Sequence, residues 1–397
     1  MNEVTERASK PKAVLTLQVT AGKRDVMRLA SQMAGIAERK STMPTLACVK
    51  LSAVDKRLTM EATDLYRSLV GSIDAEVGTP GMFAVAAKDF VDRVKAMPDG
   101  PLILEVKDNA LMLKTKGSAR RYTLRGMPGE DFPPMPQPRE GSPELGVPAH
   151  AMRTLIARTH YAVSQDETRA HLNSALVEWE GERVRIVATD GHRLSMADAT
   201  IAGRSATASM LLPLKAIHEI GRLCDEVGVV PKGEDESAAK ADAAEIVIVQ
   251  SGPVVFFKAG GLMLGVKTVD AQFPPYQQVI PKECARIATV PRAALVDAVR
   301  AVSVAASEKT GGVRIVLTKG KMKLTSESPD SGDGADEVDV SFDGPSLSIG
   351  CNAKYLVDAL GSIADDEVEV GFGQELDPVL VKADGDSFLA VVMPMRI

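Results

Sequence analysis

The chain has 397 residues, 45% of them hydrophobic and 25% charged, with a formal net charge of −6. That length exceeds what one hydrophobic core organises and points to roughly two to four domains. No apolar run approaches the roughly 18–20 residues needed to cross a bilayer, and an acidic balance argues against coating nucleic acid through bulk charge.

Residues 1–12 are polar and lack an apolar stretch, so they are expected to form a disordered tail and not a signal peptide, which places the protein in the cytoplasm. Helical apolar spacing then begins near Lys23 (KRDVMRLASQMAGIA) and again around Lys88 (AAKDFVDRVKAM). The pair returns near Pro148 (PAHAMRTLIARTHYAVS) and Lys215 (LPLKAIHEIGRLC), and once more near Pro291 (PRAALVDAVRAVSVAAS) and Lys354 (NAKYLVDALGSI). First helices recur at intervals of 125 and 143 residues, second helices at 127 and 139. A strand-end signature keeps step at 126 and 138: Glu61-Ala62-Thr63-Asp64, then Val187-Ala188-Thr189-Asp190, then a degenerate Thr325-Ser326-Glu327-Ser328. Three markers with one period mean a threefold internal repeat.

Runs such as ALVEWEGERVRIVAT, EIVIVQ, GVRIVLT and MKLTSES read as hairpin strands. The expected class is therefore α+β, with three similar domains of two helices packed on antiparallel sheet. The bounds fall at 1–12 for the tail, then 13–140, 145–283 and 285–397. The longer second interval is explained by an acidic insert at 226–244 (PKGEDESAAKADAAE within it), expected as a solvated loop. Junctions at 126–146 and 270–283 share a Phe-Pro-Pro element, which favours extended connectors laid over a surface.

Counting charges, the six helical stretches carry about +7, leaving about −13 elsewhere, so the helices are the basic face. A mildly basic surface on an acidic protein suits sequence-independent contact with phosphates without static adhesion. Arg39 and Lys40 after the first helix, and His160, Gln165 and Arg169 near the third, are placed to touch a nucleic-acid backbone.

Catalytic motifs are missing: there is no Walker A, GxGxxG, GxSxG or HExxH pattern. Cys48, Cys224, Cys284 and Cys351 lie far apart without ligand spacing, so neither a metal site nor a disulfide framework is indicated, and no cofactor is expected. The acidic stretch 326–337 spaces its carboxylates three apart instead of two, which reads as a turn and not a calcium loop. Asp190 beside His192 has the composition of a general-base dyad but lacks a nucleophile or metal partner, so a structural turn is expected.

Leu172-Asn173, the run Val187-Ala188-Thr189-Asp190-Gly191-His192-Arg193-Leu194, the element Phe273-Pro274-Pro275-Tyr276 and the terminus Val391-Val392-Met393-Pro394-Met395-Arg396 closely resemble the beta subunit of bacterial DNA polymerase III. The resemblance covers the chain after residue 12. It implies a sliding-clamp fold: a head-to-tail homodimer forming a six-domain ring around duplex DNA, helices lining the pore, no catalysis and no cofactor. Implied partners are the clamp loader, the replicative polymerase alpha subunit, and other polymerases and repair proteins that carry short clamp-binding peptides.

The resemblance also implies a peptide groove at Leu172, Thr189, Gly191, His192, Arg193, Leu194, Pro274, Val279, Asn352, Tyr355, Leu376, Val391, Met393, Pro394, Met395 and Arg396. Soft thioether and aliphatic groups there suit Leu and Phe of a peptide. It keeps Gln165 and Arg169 as DNA contacts and places Tyr122, Val304 and Ala305 at the subunit interface. The sequence departs from the family pattern at Gln278, where a basic residue is frequent, and at Ala170 and His171, which replace aromatics. Ala305 is smaller than the usual aliphatic residue and buries less apolar area.

Overall fold

Apolar residues at helical spacing make the first elements. A computed structural model describes residues 16–38, 42–228, 244–307, 310–329, 332–383, 385 and 387–397. Helix α1 (Lys23–Ile36) buries Val26, Leu29, Ala30, Met33 and Ile36 along one stripe. It packs on α2 (Ala87–Ala96), which buries Ala87, Phe90 and Val94. The arrangement repeats with α3 (Ala149–Thr159) on α4 (Leu214–Gly228), and with α5 (Arg292–Ser303) on α6 (Ala353–Gly361). Pro148 and Pro291 occupy the N-cap positions of α3 and α5, where the missing N–H costs no helical bond. Helix α6 starts differently, with the Asn352 side chain accepting the Tyr355 N–H at 3.3 Å.

Helix α4 runs further than its sequence reading. Its apolar face (Ile217, Ile220, Leu223, Cys224) persists, and Arg153 of α3 donates to Asp225 at 2.7 Å, so Asp225 and Glu226 are helical and not part of a loop. Those two acids lower the helical total from about +7 to about +5. The rest of the acidic insert, 229–243, and the tail 1–12 lie outside the described residues.

The chain divides into two compact units, Met1–Ser142 with Phe256–Val266, and Pro143–Val255 with Lys267–Ile397. In the first unit one antiparallel order runs through strands Arg67–Asp74, Arg57–Thr63, Cys48–Val54, Gly81–Ala86, Tyr122–Pro128, Ala110–Thr115, Pro101–Lys107, Leu17–Gly22 and Glu76–Thr79. Leu262 through Val266 extend it by pairing with Gly71 through Arg67.

The second unit holds the α3–α4 and α5–α6 repeats. Its eight-stranded sheet runs Ala206–Pro213, Ser174–Gly181, Arg183–Thr189, Arg193–Thr200, Phe388–Val392, Val379–Ala383, Glu367–Phe372 and Arg286–Pro291. The central pairing, Leu194 opposite Val391, joins strands about two hundred positions apart into one sheet. A four-stranded sheet, Gly332–Asp339, Lys321–Ser328, Gly312–Thr318 and Leu347–Asn352, stands beside it. The acidic stretch 326–337, expected as a turn, forms facing arms of a hairpin with Ser326 opposite Gly334, because backbone pairing overrides its weak strand propensity.

Both Phe-Pro-Pro connectors are laid over sheet. Phe132 packs with Cys48 and Ala84 in the first unit. In the second, Tyr276 is buried with Leu176, Val187, Leu194, Leu211, Leu380, Leu389 and Val391, flanked by Phe273 and Ile280. Among the described residues no helix is long and apolar enough to cross a membrane.

Candidate functional site

The site starts from a five-residue turn, 189–193, whose sequence Thr-Asp-Gly-His-Arg satisfies its own backbone. The Thr189 hydroxyl donates to the Arg193 carbonyl at 2.7 Å and accepts the Gly191 N–H at 3.2 Å. Asp190 Oδ1 accepts the N–H groups of His192 (2.9 Å) and Arg193 (3.0 Å), an Asx arrangement. Gly191 sits at φ +92°, where a side chain is strained. Asp190 Oδ2 accepts Arg193 Nε at 3.0 Å, so the carboxylate is occupied as a turn anchor and offers no base to the His192 imidazole.

Arg193 then reaches out of its own repeat. Nη1 donates to Asp358 on α6 at 2.6 Å and Nη2 to the Tyr161 carbonyl at 2.5 Å. The guanidinium lies over the rings of Tyr355 (4.5 Å) and Tyr161 (5.3 Å), a doubled cation–π contact. Lys354 also donates to Asp358 at 2.6 Å. Burial pushes the Asp358 carboxyl up, but hydrogen bonds from Lys354 and Arg193 outweigh it and hold the group below the usual carboxylate range. Tyr161 donates to Ser195 at 3.1 Å, and Ser195 to the Arg158 carbonyl at 2.6 Å. Burial pushes the Tyr161 phenol up to about 12 and raises Tyr355 as well.

Past the last strand, the Met393 N–H donates to the His192 carbonyl at 2.9 Å and the Met395 N–H to the Gly350 carbonyl at 2.8 Å. The tail thus bridges the turn to the four-stranded sheet. Gly350 and Gly312 permit this closeness, since a Cβ on Gly350 would lie 2.4 Å from the Met395 oxygen and one on Gly312 3.3 Å from Ile397. Arg314 donates to the Ile397 main-chain oxygen at 2.9 Å.

The structure sorts the expected groove residues. Leu172, Thr189, Arg193, Leu194 and Val391 are buried and supply floor and framework. Val279, Leu376 and Met393 are exposed large hydrophobics, and His192 and Arg396 are exposed as well. Pro274, Asn352, Tyr355, Pro394 and Met395 are half-buried, and Gly191 is open. Arg193 has a side chain only 8% exposed, and its Nε, Nη1 and Nη2 donate to Asp190, Asp358 and the Tyr161 carbonyl, so it frames the turn from within. Asp358 and Tyr161 were not read as site residues in the sequence, and Lys354 served there only as a marker of the repeat, because the partners of the first two are far along the chain and Lys354 is ordinary in type.

Of the expected DNA contacts, Arg39 and Lys40 lie outside the described residues. Gln165 and Arg169 are exposed on a loop closed by Ser164 N–H to the Leu172 carbonyl (2.9 Å) and Asn173 Nδ2 to the Ser164 carbonyl (2.6 Å). Arg169 pairs with Asp166 at 2.8 Å, and hydrogen bonds from Thr168 and Arg169 hold that carboxyl below its usual range. At the expected interface, Val304 is 83% exposed while Tyr122 is half-buried. Ala305 is half-buried, and its Cβ lies 3.2 Å from where a Cβ on Gly334 would stand, so the close approach constrains position 334.

Three family models match in succession: the DNA polymerase III beta subunit N-terminal domain at 17–136, central domain at 146–275 and C-terminal domain at 277–396. The chain belongs to the DNA polymerase III beta subunit family. A beta sliding clamp of Pseudomonas aeruginosa is 33% identical over 370 residues, covering 92% of this chain and 96% of that one. One of Caulobacter vibrioides is 30% identical over 389 residues, covering 96% and 100%. A crystal structure of the Caulobacter crescentus beta sliding clamp superposes with TM-score 0.88 at 29% identity, covering 97% of this chain and 100% of that one. The function is that of a sliding clamp, a processivity subunit without catalysis of its own. In this family the fold has three domains of α+β type, in agreement with the threefold repeat.

Proposed function

We propose that two copies close head to tail into a ring around duplex DNA in the cytoplasm, with domains at 13–140, 145–283 and 285–397. The observation that carries this is the threefold helix pair bearing about +5 on a chain of net −6, which concentrates positive charge on one class of surface. Arg39, Lys40, Gln165 and Arg169 touch phosphates without reading sequence. Ring closure joins complementary edges. Strand Gly332–Asp339 ends its sheet and exposes Asp333, Asp336, Glu337 and Asp339, while Arg120, Arg121 and Arg125 are exposed around Tyr122. Val304 supplies apolar area at that contact. The test is retention after loading by the clamp loader: protein stays on closed circular DNA and is lost once the circle is cut. Equal retention on both forms would sink the ring.

The same protein offers a docking site for short peptides of the polymerase alpha subunit, the clamp loader, and other polymerases and repair proteins. The exposed apolar residues Val279, Leu376 and Met393, backed by a rigid polar frame, support this reading. Met393→Glu is expected to weaken polymerase binding at least about tenfold, because a charge would be buried against the peptide. Unchanged affinity in a pull-down titration would remove Met393 from the site.

A further inference from the structure

A second opening lies on the four-stranded sheet beside this site. A cleft of about 580 Å³ is lined by Arg286, Val316, Ser348, Glu375 and Leu376, among others. Leu376, 59% exposed, belongs both to this cleft and to the expected groove. Strand Leu347–Asn352 forms the cleft's other side and is the last strand of its sheet, paired only with Gly312–Thr318.

Its hydrogen-bonding edge can be assigned. The Gly350 carbonyl accepts from Met395, outside the sheet, so Gly350 opposite Arg314 is a pair whose backbone groups face away from the neighbouring strand. Alternation makes Ser348, two residues on and opposite Val316, face the same way. The tail has taken the edge at Gly350, and the next outward N–H and C=O belong to Ser348, inside the cleft. An exposed edge of this kind is a template for another strand.

The cleft is also held open. Arg286 donates Nε to the Pro345 carbonyl at 3.0 Å and Nη1 to the Gly373 carbonyl at 2.6 Å, tying its two walls together. The 374–377 turn beneath Leu376 is pinned by Gln374 N–H to Asp377 Oδ2 at 2.7 Å. With Arg286 committed to carbonyls, Glu375 is an exposed charge on the lining.

We propose that this cleft is a further peptide subsite, resting on the docking reading above. It takes the extended flank of the peptide seated at Met393, as a strand added at Ser348, with a basic side chain toward Glu375. The continuity through Leu376 and the tail's own pairing at Gly350 select this occupant over an unrelated partner.

Two synthetic peptides measured by fluorescence anisotropy test it: a Leu/Phe hydrophobic core alone, and the same core with a four-residue extended flank carrying one lysine, made at either end. Two edge hydrogen bonds predict about tenfold tighter binding of one flanked form. Ser348→Pro, which removes an outward N–H without touching the ladder, is expected to abolish the gain and leave core binding unchanged. Glu375→Lys is expected to reduce it. A flank that adds nothing while the core binds, or a gain that survives Ser348→Pro, overturns the subsite. If the core itself fails to bind, the docking reading has failed. Hydrogen exchange at the Ser348 amide with the flank-only peptide then decides separately, protection supporting the cleft and its absence overturning it.

Discussion

Turns 63–67 and 189–193 carry the same pattern, Thr-Asp-x-x-Arg, and make the same hydrogen bonds. Thr63 donates to the Arg67 carbonyl at 2.8 Å, and Asp64 accepts the N–H groups of Tyr66 (3.0 Å) and Arg67 (2.6 Å) and Arg67 Nε (2.9 Å). The difference lies in what arrives from elsewhere. Arg193 is met by Asp358, Tyr161 and Tyr355, whereas the first turn presents Leu65 and Tyr66 at 55% and 67% exposure. Leu65 even occupies the left-handed region at φ +72° that Gly191 fills in the second turn. One local motif thus builds a scaffold, and its use is set by neighbours from elsewhere in the chain, Asp358 lying 165 residues from Arg193 and Tyr161 32.

The largest effect separating the two turns is expected from arginine removal. Arg193→Ala strips a partner from Asp358 and leaves a cavity between two tyrosines, a loss of about 3 kcal/mol in chemical denaturation, with peptide binding weakened about tenfold or more. Arg67→Ala should leave peptide affinity within about twofold. Equal losses of peptide binding in the two variants would erase the distinction.

Exchanging the left-handed residues sharpens the comparison. Gly191→Leu is expected to cost about 1–2 kcal/mol through backbone strain. Leu65→Gly should be close to neutral, because relief of that strain is offset by about 1 kcal/mol of added chain entropy. Thermal unfolding of the pair reads the asymmetry.

The pH response follows from Asp358. Its native pKa is depressed, so the stability it contributes is present above the unfolded carboxylate value of about 3.9 and is lost as pH falls through the lower native value. Asp358→Asn should therefore flatten the acid limb of the stability curve and leave its shape above neutrality unchanged. A curve with an unaltered acid limb would show that the carboxylate is not linked to folding.

The smallest effect is spectroscopic. Tyr161, buried and raised to about 12, is neutral well above the pH at which ordinary tyrosines ionise, near 10. Tyr276 and Tyr355 are raised as well, so an alkaline absorbance titration should show several late-ionising phenols, and Tyr161→Phe should remove one of them.

The helices, the repeat and the connectors were legible because each is written in local chemistry: 3.6-residue apolar spacing, proline before α3 and α5, and Phe-Pro-Pro at both junctions. Two local readings were incomplete. The end of α4 was missed because its acids look like loop, although an apolar face and Arg153 carry the helix to Gly228. The stretch 326–337 was read as a turn because its carboxylate spacing does not fit a calcium loop, although pairing across it makes its two sides the arms of a hairpin.

The site divides along the same line. Sequence alone determined the turn at 189–193, since Thr189, Asp190 and Gly191 satisfy their own backbone within five residues, and it marked the terminal Met-Pro-Met as significant through family resemblance. Only tertiary structure decided that Arg193 is buried framework, that Asp358 and Tyr161 complete it, and that Met393 and Met395 bridge the turn to a second sheet. The reason is physical: a turn closes over short contour lengths, while a charge is neutralised and a sheet edge covered by whichever groups the folded chain brings within about 3 Å, however distant in sequence.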